Sequence, residues 1–193
     1  TGVQTCALPI YWDRNPVEYA RLTKIQKAAR IIYLNKTCYN GLFRVNNAGE
    51  FNTPFGHYKN PNIVNAPTLK AVSLYFNTAD ISFTTGDYSR ALENVKKGAF
   101  VYLDPPYDPV SSTANFTGYT KSGFGKEEQI RLREVCDELN CKGIKFMLSN
   151  SATDFIKEQY KNYNMIVVRA KRTINSNAEK RGQVDEVVIR NYE

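Results

Sequence analysis

Between Asn15 and Thr37 the apolar positions Val17, Leu22, Ile25, Ala28, Ala29, Ile32 and Tyr33 recur at helical spacing, with Asn15 and Pro16 placed as cap and first turn. A helix or helix pair is predicted there. The preceding "TGVQTCALPI" follows neither period and reads as a non-native leader over residues 1–10. Residues 38–62 hold three glycines, six asparagines and five aromatics, which is turn chemistry around short strands, and "LFRVNNAGEFNTPF" predicts a hairpin with "NNAG" at its tip. A helical "PTLKAVSLYFNTA" follows. Strands are then predicted at "ISFTTGD", "AFVYLDPPY", "IKFMLSN", "NMIVVRA" and "DEVVIRNY". Between them "GKEEQIRLREVCDELNCKG" and "SATDFIKEQYKNY" have helical period, the second capped by Ser151 or Thr153. Strands alternating with helices predict an α/β fold with a mainly parallel sheet. Ligands of such sheets bind at the carboxyl ends of strands, where "DPPY" and "TTGD" fall.

At 193 residues the chain can bury the core of one domain or form part of a larger protein. No apolar run approaches the roughly 18 residues of a membrane helix, so no membrane partner is expected. The net charge of +7 points to an anionic partner, with nucleic acid as one candidate, although surface lysines often serve solvation alone. Four cysteines without a C-x-x-C pair, and one histidine without acidic or thiol neighbours at ligand spacing, predict no metal. Free thiols and the lack of a charged-then-apolar leader point to the cytoplasm. His57 in "PFGHYK" reads as an exposed loop residue.

"FVYLDPPYDP" ends an apolar strand with an acid, two prolines and a tyrosine. Proline cannot continue a ladder and stiffens the chain around it, so Asp104 is held still. The Asp104 carboxylate and a proline carbonyl can each accept one hydrogen of an exocyclic amino group. That makes the nitrogen nucleophilic, while Tyr107 stacks on the ring. The competing reading is a strand-ending turn in which Asp104 is an Asx cap and Tyr107 is core.

Three blocks, "VYLDPPYDPVSSTANFTGYTKSGF", "YLNKTCYNGLFRVNNAGEFNTPFGHYK" and "RTINSNAEKRGQVDEVVIRNY", resemble the Dam-type (D12 class) adenine-specific DNA methyltransferases in the family's order, over about residues 15–192. The resemblance implies methyl transfer from S-adenosylmethionine to adenine in double-stranded DNA, with GATC as the target, by a monomeric enzyme. It assigns catalysis to Asp104, Pro105, Pro106 and Tyr107. Cofactor contact is implied for Asp104, Asp87 and Tyr88, against the alternative that Asp87 is only a helix cap. Tyr39, Asn40, Leu42, Arg44, Pro54 and Tyr58 match the family's DNA-reading positions. Physically, Arg44 can take a guanine edge with two donors, and Tyr39 or Leu42 can wedge into the stack left by a flipped base. The same hairpin aromatics, Phe43, Phe51 and Phe55, are expected to form a small core beneath it. Lys171, Arg172, Lys180 and Arg181 in "AKRTINSNAEKRG" suit phosphate contact.

The family's opening elements are a lysine-containing glycine segment, a strand ending in Phe-x-Gly-x-Gly, and an acid for the cofactor ribose. None occurs here. The resemblance therefore implies an incomplete Rossmann-like sheet lacking its first strands, with residues 11–66 as a helical and hairpin recognition region and 67–193 as the carboxyl-terminal part of the catalytic domain. Such a chain could be inactive alone. A non-catalytic DNA-binding fragment is the main rival, and methylation of an RNA base or a protein glutamine is opposed by the hairpin block.

Overall fold

Asn15 opens helix α1 (Pro16–Arg21) by accepting from the Glu18 amide at 3.2 Å, and Pro16 sits in the first turn, where no N–H is needed. Leu22 leaves the helix in extended backbone. Thr23 then starts α2 (Lys24–Thr37) through a reciprocal capping box with Gln26, so the expected stretch is a helix pair. These elements belong to a computed structural model that describes residues 15–46, 50–110, 124–171 and 183–193. The chain divides into two compact units between Phe83 and Thr84.

In the first unit α2 ends at a 3-10 turn (Tyr39–Gly41), and the hairpin follows. Its arms meet at an antiparallel Val45–Phe51 bridge, flanked by Asn46 N to Glu50 O and Asn52 N to Arg44 O, both at 2.9 Å. Asn47, Ala48 and Gly49 of the expected tip lie outside the described residues. The enclosed core is small: Leu34, Cys38 and Phe51, with Tyr33 packed on it. Of the three aromatics expected beneath the hairpin only Phe51 is enclosed. Phe43 and Phe55 remain 42% and 37% exposed, because three short elements cannot cover more than one ring. Helix α3 (Ala66–Thr78), capped by Asn65, groups with this unit.

The second unit holds α4 (Tyr88–Leu92), β1 (Phe100–Leu103), α5 (Lys126–Cys141), β2 (Lys145–Ser151), α6 (Asp154–Gln159), β3 (Asn164–Lys171) and β4 (Gln183–Arg190). Its four-stranded sheet has the order β1-β2-β4-β3. Val101, Phe146, Leu148, Val187 and Ile189 of the sheet pack with Leu132, Cys136 and Leu139 of α5 and Ile156 of α6 into the main core. Burial pushes the Cys136 thiol up to about 12, which keeps it a neutral core side chain.

One expectation is corrected here. "ISFTTGD" forms no strand: residues 81–85 are irregular and pair with no strand among the described residues. The sheet is mainly parallel in direction, as expected, with one reversed strand. β1, β2 and β3 point the same way, β1 and β2 pairing directly with Leu103 opposite Leu148, while β4 is antiparallel to both of its neighbours, β2 and β3. β3 and β4 are consecutive and pair directly, so the chain reverses instead of crossing over, and β4 enters between β2 and β3. A mixed α/β unit results. Among the described residues no helix is long and apolar enough to cross a membrane, and no group of three His, Cys, Asp or Glu could hold a metal ion.

Candidate functional site

β1 ends one residue before Asp104, so the acid stands at the carboxyl end of a strand whose parallel partner β2 continues beside it. Ser149 of β2 donates to Asp104 Oδ1 at 2.9 Å and lies 3.3 Å from the Tyr102 hydroxyl. The carboxylate is exposed, yet its orientation is set by that serine. Tyr107, half-buried, also meets Ser149. Burial pushes its phenol up and the serine hydrogen bond pulls the other way.

The turn after Asp104 is fixed from behind by buried polar side chains. Gln129 of α5 donates Nε2–H to the Pro106 carbonyl at 2.8 Å. Asn150 of β2 donates Nδ2–H to Gln129 Oε1 at 3.0 Å, and its own oxygen accepts the Asp108 amide at 2.9 Å. Thr153, the cap of α6, donates to the buried Asp108 carboxylate at 2.7 Å. Gln129 and Asn150 are both fully enclosed. Pro106 is thus committed to the scaffold, whereas no described residue donates to the Pro105 carbonyl. An exposed carboxylate and a free carbonyl, one residue apart on a rigid turn, can accept two hydrogens from one amino group. Asp104 is therefore no Asx cap here.

Asp87 and Tyr88 sit elsewhere in the unit, tied to α5. Asp87 caps α4, accepting the Ser89 amide at 3.0 Å and the Ser89 hydroxyl at 2.6 Å. The Arg131 guanidinium grips it with two bonds, at 2.8 Å to Oδ1 and 2.9 Å to Oδ2. That fork, ahead of the serine contacts, holds the Asp87 carboxyl well below the usual carboxylate range. Arg131 also lies over the Tyr88 ring at 5.1 Å, and the Tyr88 hydroxyl is buried. The helix-cap role is directly visible. For a cofactor, Asp87 retains acceptor capacity only on Oδ2, which suits one amino hydrogen. Asp104 offers an open carboxylate to an ammonium group, so as hydrogen-bond acceptors Asp104, and in part Asp87, suit the two amino-bearing ends of S-adenosylmethionine.

In the first unit the matched DNA-reading residues converge. Tyr39 donates its amide to the Pro54 carbonyl at 2.8 Å, and the Tyr58 hydroxyl accepts the Asn40 amide at 3.0 Å. Asn40 adopts φ 53°, and the following Gly41 φ 66°. This left-handed pair turns the chain sharply, and Asn35 holds it through the Gly41 carbonyl at 2.8 Å. Gly56 is required by space: a Cβ there would lie 2.8 Å from the Cys38 carbonyl oxygen and 2.3 Å from the Tyr58 ring. Tyr39, Asn40, Pro54 and Tyr58 are exposed together, and Leu42 is half-buried beside them. Arg44 neither stacks on Phe43 nor pairs with Glu50. Its Nε and Nη2 reach Asn52 across the hairpin at 2.8 and 3.1 Å, Phe43 packs on Phe51, and Glu50 accepts from Asn46. Lys171 closes β3, while Arg172, Lys180 and Arg181 lie outside the described residues.

Ser149, Gln129, Asn150, Asp108 and Arg131 were not singled out by the sequence pattern. One signal existed for Gln129. It occupies the same helical stripe as Leu132, Cys136 and Leu139, and an amide in a buried stripe must find partners.

Known proteins share much of this sequence. The chain is 41% identical to the type II methyltransferase M1.LlaDCHI of Lactococcus lactis over 172 residues, 89% of this chain and 61% of that protein. It is 44% identical to the type II methyltransferase M.MjaIII of Methanocaldococcus jannaschii over 171 residues, 88% and 58% of the two chains. With the DNA adenine methylase of Escherichia coli it shares 36% identity over 163 residues, 84% and 58%. The chain thus spans about 60% of the length of these curated relatives. The profile described as D12 class N6 adenine-specific DNA methyltransferase matches residues 12–174. On that match, and with an Asp-Pro-Pro-Tyr turn held at the end of β1, the chain belongs to the D12 class of adenine-specific DNA methyltransferases.

Proposed function

We propose that the protein moves a methyl group from S-adenosylmethionine to the exocyclic amino group of an adenine flipped out of duplex DNA, with GATC as the site. The carrying observation is the split between the two prolines: Gln129 occupies the Pro106 carbonyl, while no described residue donates to the Pro105 carbonyl, one residue after the exposed Asp104. The cofactor, when bound, supplies an electrophilic methyl carbon. Asp104 and the Pro105 carbonyl each accept one amino hydrogen, drawing the nitrogen lone pair out of ring conjugation. Tyr107 offers a face on which the flipped base stacks. As the N–CH₃ bond forms, the nitrogen sheds one proton, for which Asp104 is the nearest base. Asp104 also receives the ammonium of the cofactor's methionine end, and Asp87 Oδ2 its adenine amino group.

Site reading rests on the first unit. With Nε and Nη2 anchored on Asn52, Arg44 has no described partner for Nη1, so the outer edge of its fork can meet guanine O6 and N7. Tyr39 and Leu42 border the same exposed surface and suit the gap a flipped base leaves. Lys171, Arg172, Lys180 and Arg181 would add phosphate contacts.

The test is transfer of labelled methyl to duplexes carrying GATC or single-base variants, with the wild-type full-length protein and Asp104→Ala. Transfer confined to GATC and lost in Asp104→Ala, with duplex binding intact, is the expected outcome. Binding without transfer by the wild type would reduce the protein to a DNA-binding module.

A further inference from the structure

The amide chain from Asn150 through Gln129 to the Pro106 carbonyl does more than fill hydrogen-bonding capacity. We infer that Gln129, oriented by Asn150, is a positioning residue for methyl transfer: it selects which proline carbonyl faces the substrate and holds Tyr107 at its stacking position. The inference rests on the proposed methyltransferase reading and adds residues that touch neither base nor cofactor.

The geometry leaves little freedom. Asn150 has one carbonyl oxygen, and it accepts the Asp108 and Ser151 amides at 2.9 and 2.8 Å, so its orientation is fixed by two backbone donors. Its NH₂ must then point at Gln129, which accepts with Oε1 and is forced to present Nε2–H to Pro106. All three bonds run in one direction, from backbone amide to backbone carbonyl. The Pro106 carbonyl and the Asp108 amide flank Tyr107 on either side. The peptide planes around the aromatic ring are therefore set by α5 and β2, two rigid elements of the core. Without the Gln129 donor, the half-buried Pro106 carbonyl lacks its partner, and the turn relaxes by rotating that peptide. Such a rotation shifts Tyr107 and turns the Pro106 carbonyl away from α5, where it competes with the Pro105 carbonyl, which the locked φ of Pro106 leaves in place. A misplacement of about 1 Å at a reacting centre can cost about 100-fold in rate.

Two variants of the full-length protein separate positioning from packing. Gln129→Met keeps the volume and deletes both bonds. Gln129→Glu keeps the acceptor for Asn150 but sets a carboxylate against the Pro106 carbonyl until it is protonated, when its O–H restores the donation. Single-turnover methyl transfer should fall about 10- to 100-fold in Gln129→Met, with the affinities for S-adenosylmethionine and duplex within about two-fold of wild type. Relative to wild type, Gln129→Glu should recover as pH falls, and Gln129→Met should not. In the absence of cofactor and DNA, amide exchange at Asp108 should quicken in Gln129→Met while that of β4 is unchanged. A wild-type transfer rate in Gln129→Met, or parallel pH profiles of the two variants, overturns the positioning role and leaves the methyltransferase reading standing. No transfer by the wild type overturns that reading and this one with it. If Gln129→Met does not fold, the Gln129→Glu profile decides, because its protonated form reproduces the native bonding.

Discussion

The two units hold their candidate site residues by different means. In the second, Asp104 and Tyr107 are supported by Ser149, Gln129 and Asn150, polar side chains from β2 and α5 embedded in or beside a core of eleven enclosed apolar residues among those described. In the first, Tyr39, Asn40, Pro54 and Tyr58 are joined mainly by backbone amides and carbonyls over a core of three. Rigid support from distant elements suits chemistry that needs fixed distances. A surface held by local turns over a thin core can adjust to a duplex while keeping its donors in order. The difference teaches where each unit is vulnerable: the second through its interior, the first through single backbone positions.

The largest effect should come from the interior of the second unit. Phe146 is fully enclosed in β2, against the Tyr163 ring at 5.2 Å, and Phe146→Ala should cost about 3–5 kcal/mol in urea unfolding of that unit. Amide protection in the hairpin should not change. Loss of hairpin protection in this variant would mean that the units are not separately supported, and the contrast would fail.

Gly56→Ala probes the first unit at one backbone point. The Cys38 carbonyl cannot move without dislodging the Tyr39 turn, so the added methyl should displace the Tyr58 ring and its hydroxyl from the Asn40 amide. A cost of about 1–3 kcal/mol is expected from overpacking, together with weaker duplex binding by fluorescence anisotropy. Unaltered melting and binding would show this surface to be far more compliant than the turn geometry implies.

The smallest effect concerns acid. Asp87, exposed and gripped first by Arg131 and then by Ser89, has its folded pKa depressed. Its stabilisation is complete above the ordinary carboxylate value of about 4 and is lost as pH falls through that region toward the lower folded value. Arg131→Gln should flatten the acid limb of melting temperature against pH. A limb identical to wild type would assign acid sensitivity to other carboxylates.

Much of this fold was legible because it rests on local chemistry. Asn15, Thr153 and the apolar stripes of α2 and α5 act within a turn or two of sequence, and the strand before Asp-Pro-Pro-Tyr is bounded by residues that cannot continue it. The reversal of β4 was not legible, since whether it lies beside β2 depends on contacts between residues such as Leu148 and Ile189, far apart in sequence. "ISFTTGD" had a strand's composition, but composition does not supply a neighbouring ladder. The Asp-Pro-Pro-Tyr turn announced itself, while its supports did not: Ser149 and Asn150 look like the polar end of a strand, and Gln129 like a helix residue. Arg44 was visible, but its anchor Asn52 emerged only once the hairpin register placed the two opposite each other.

β1 has a strand neighbour on one side only among the described residues, and its sequence Phe-Val-Tyr-Leu carries no charge, with Phe100 and Tyr102 more than half exposed. Such a border is a template for strand addition, the starting event of self-association. Handled as an isolated polypeptide at high concentration, the chain should gather into oligomers through this border, detectable as light scattering that rises with concentration and is suppressed by Phe100→Lys. The same four residues that deliver Asp104 to the surface thus set the colloidal behaviour of the isolated polypeptide, and scattering that ignored the lysine would place the sticky surface elsewhere.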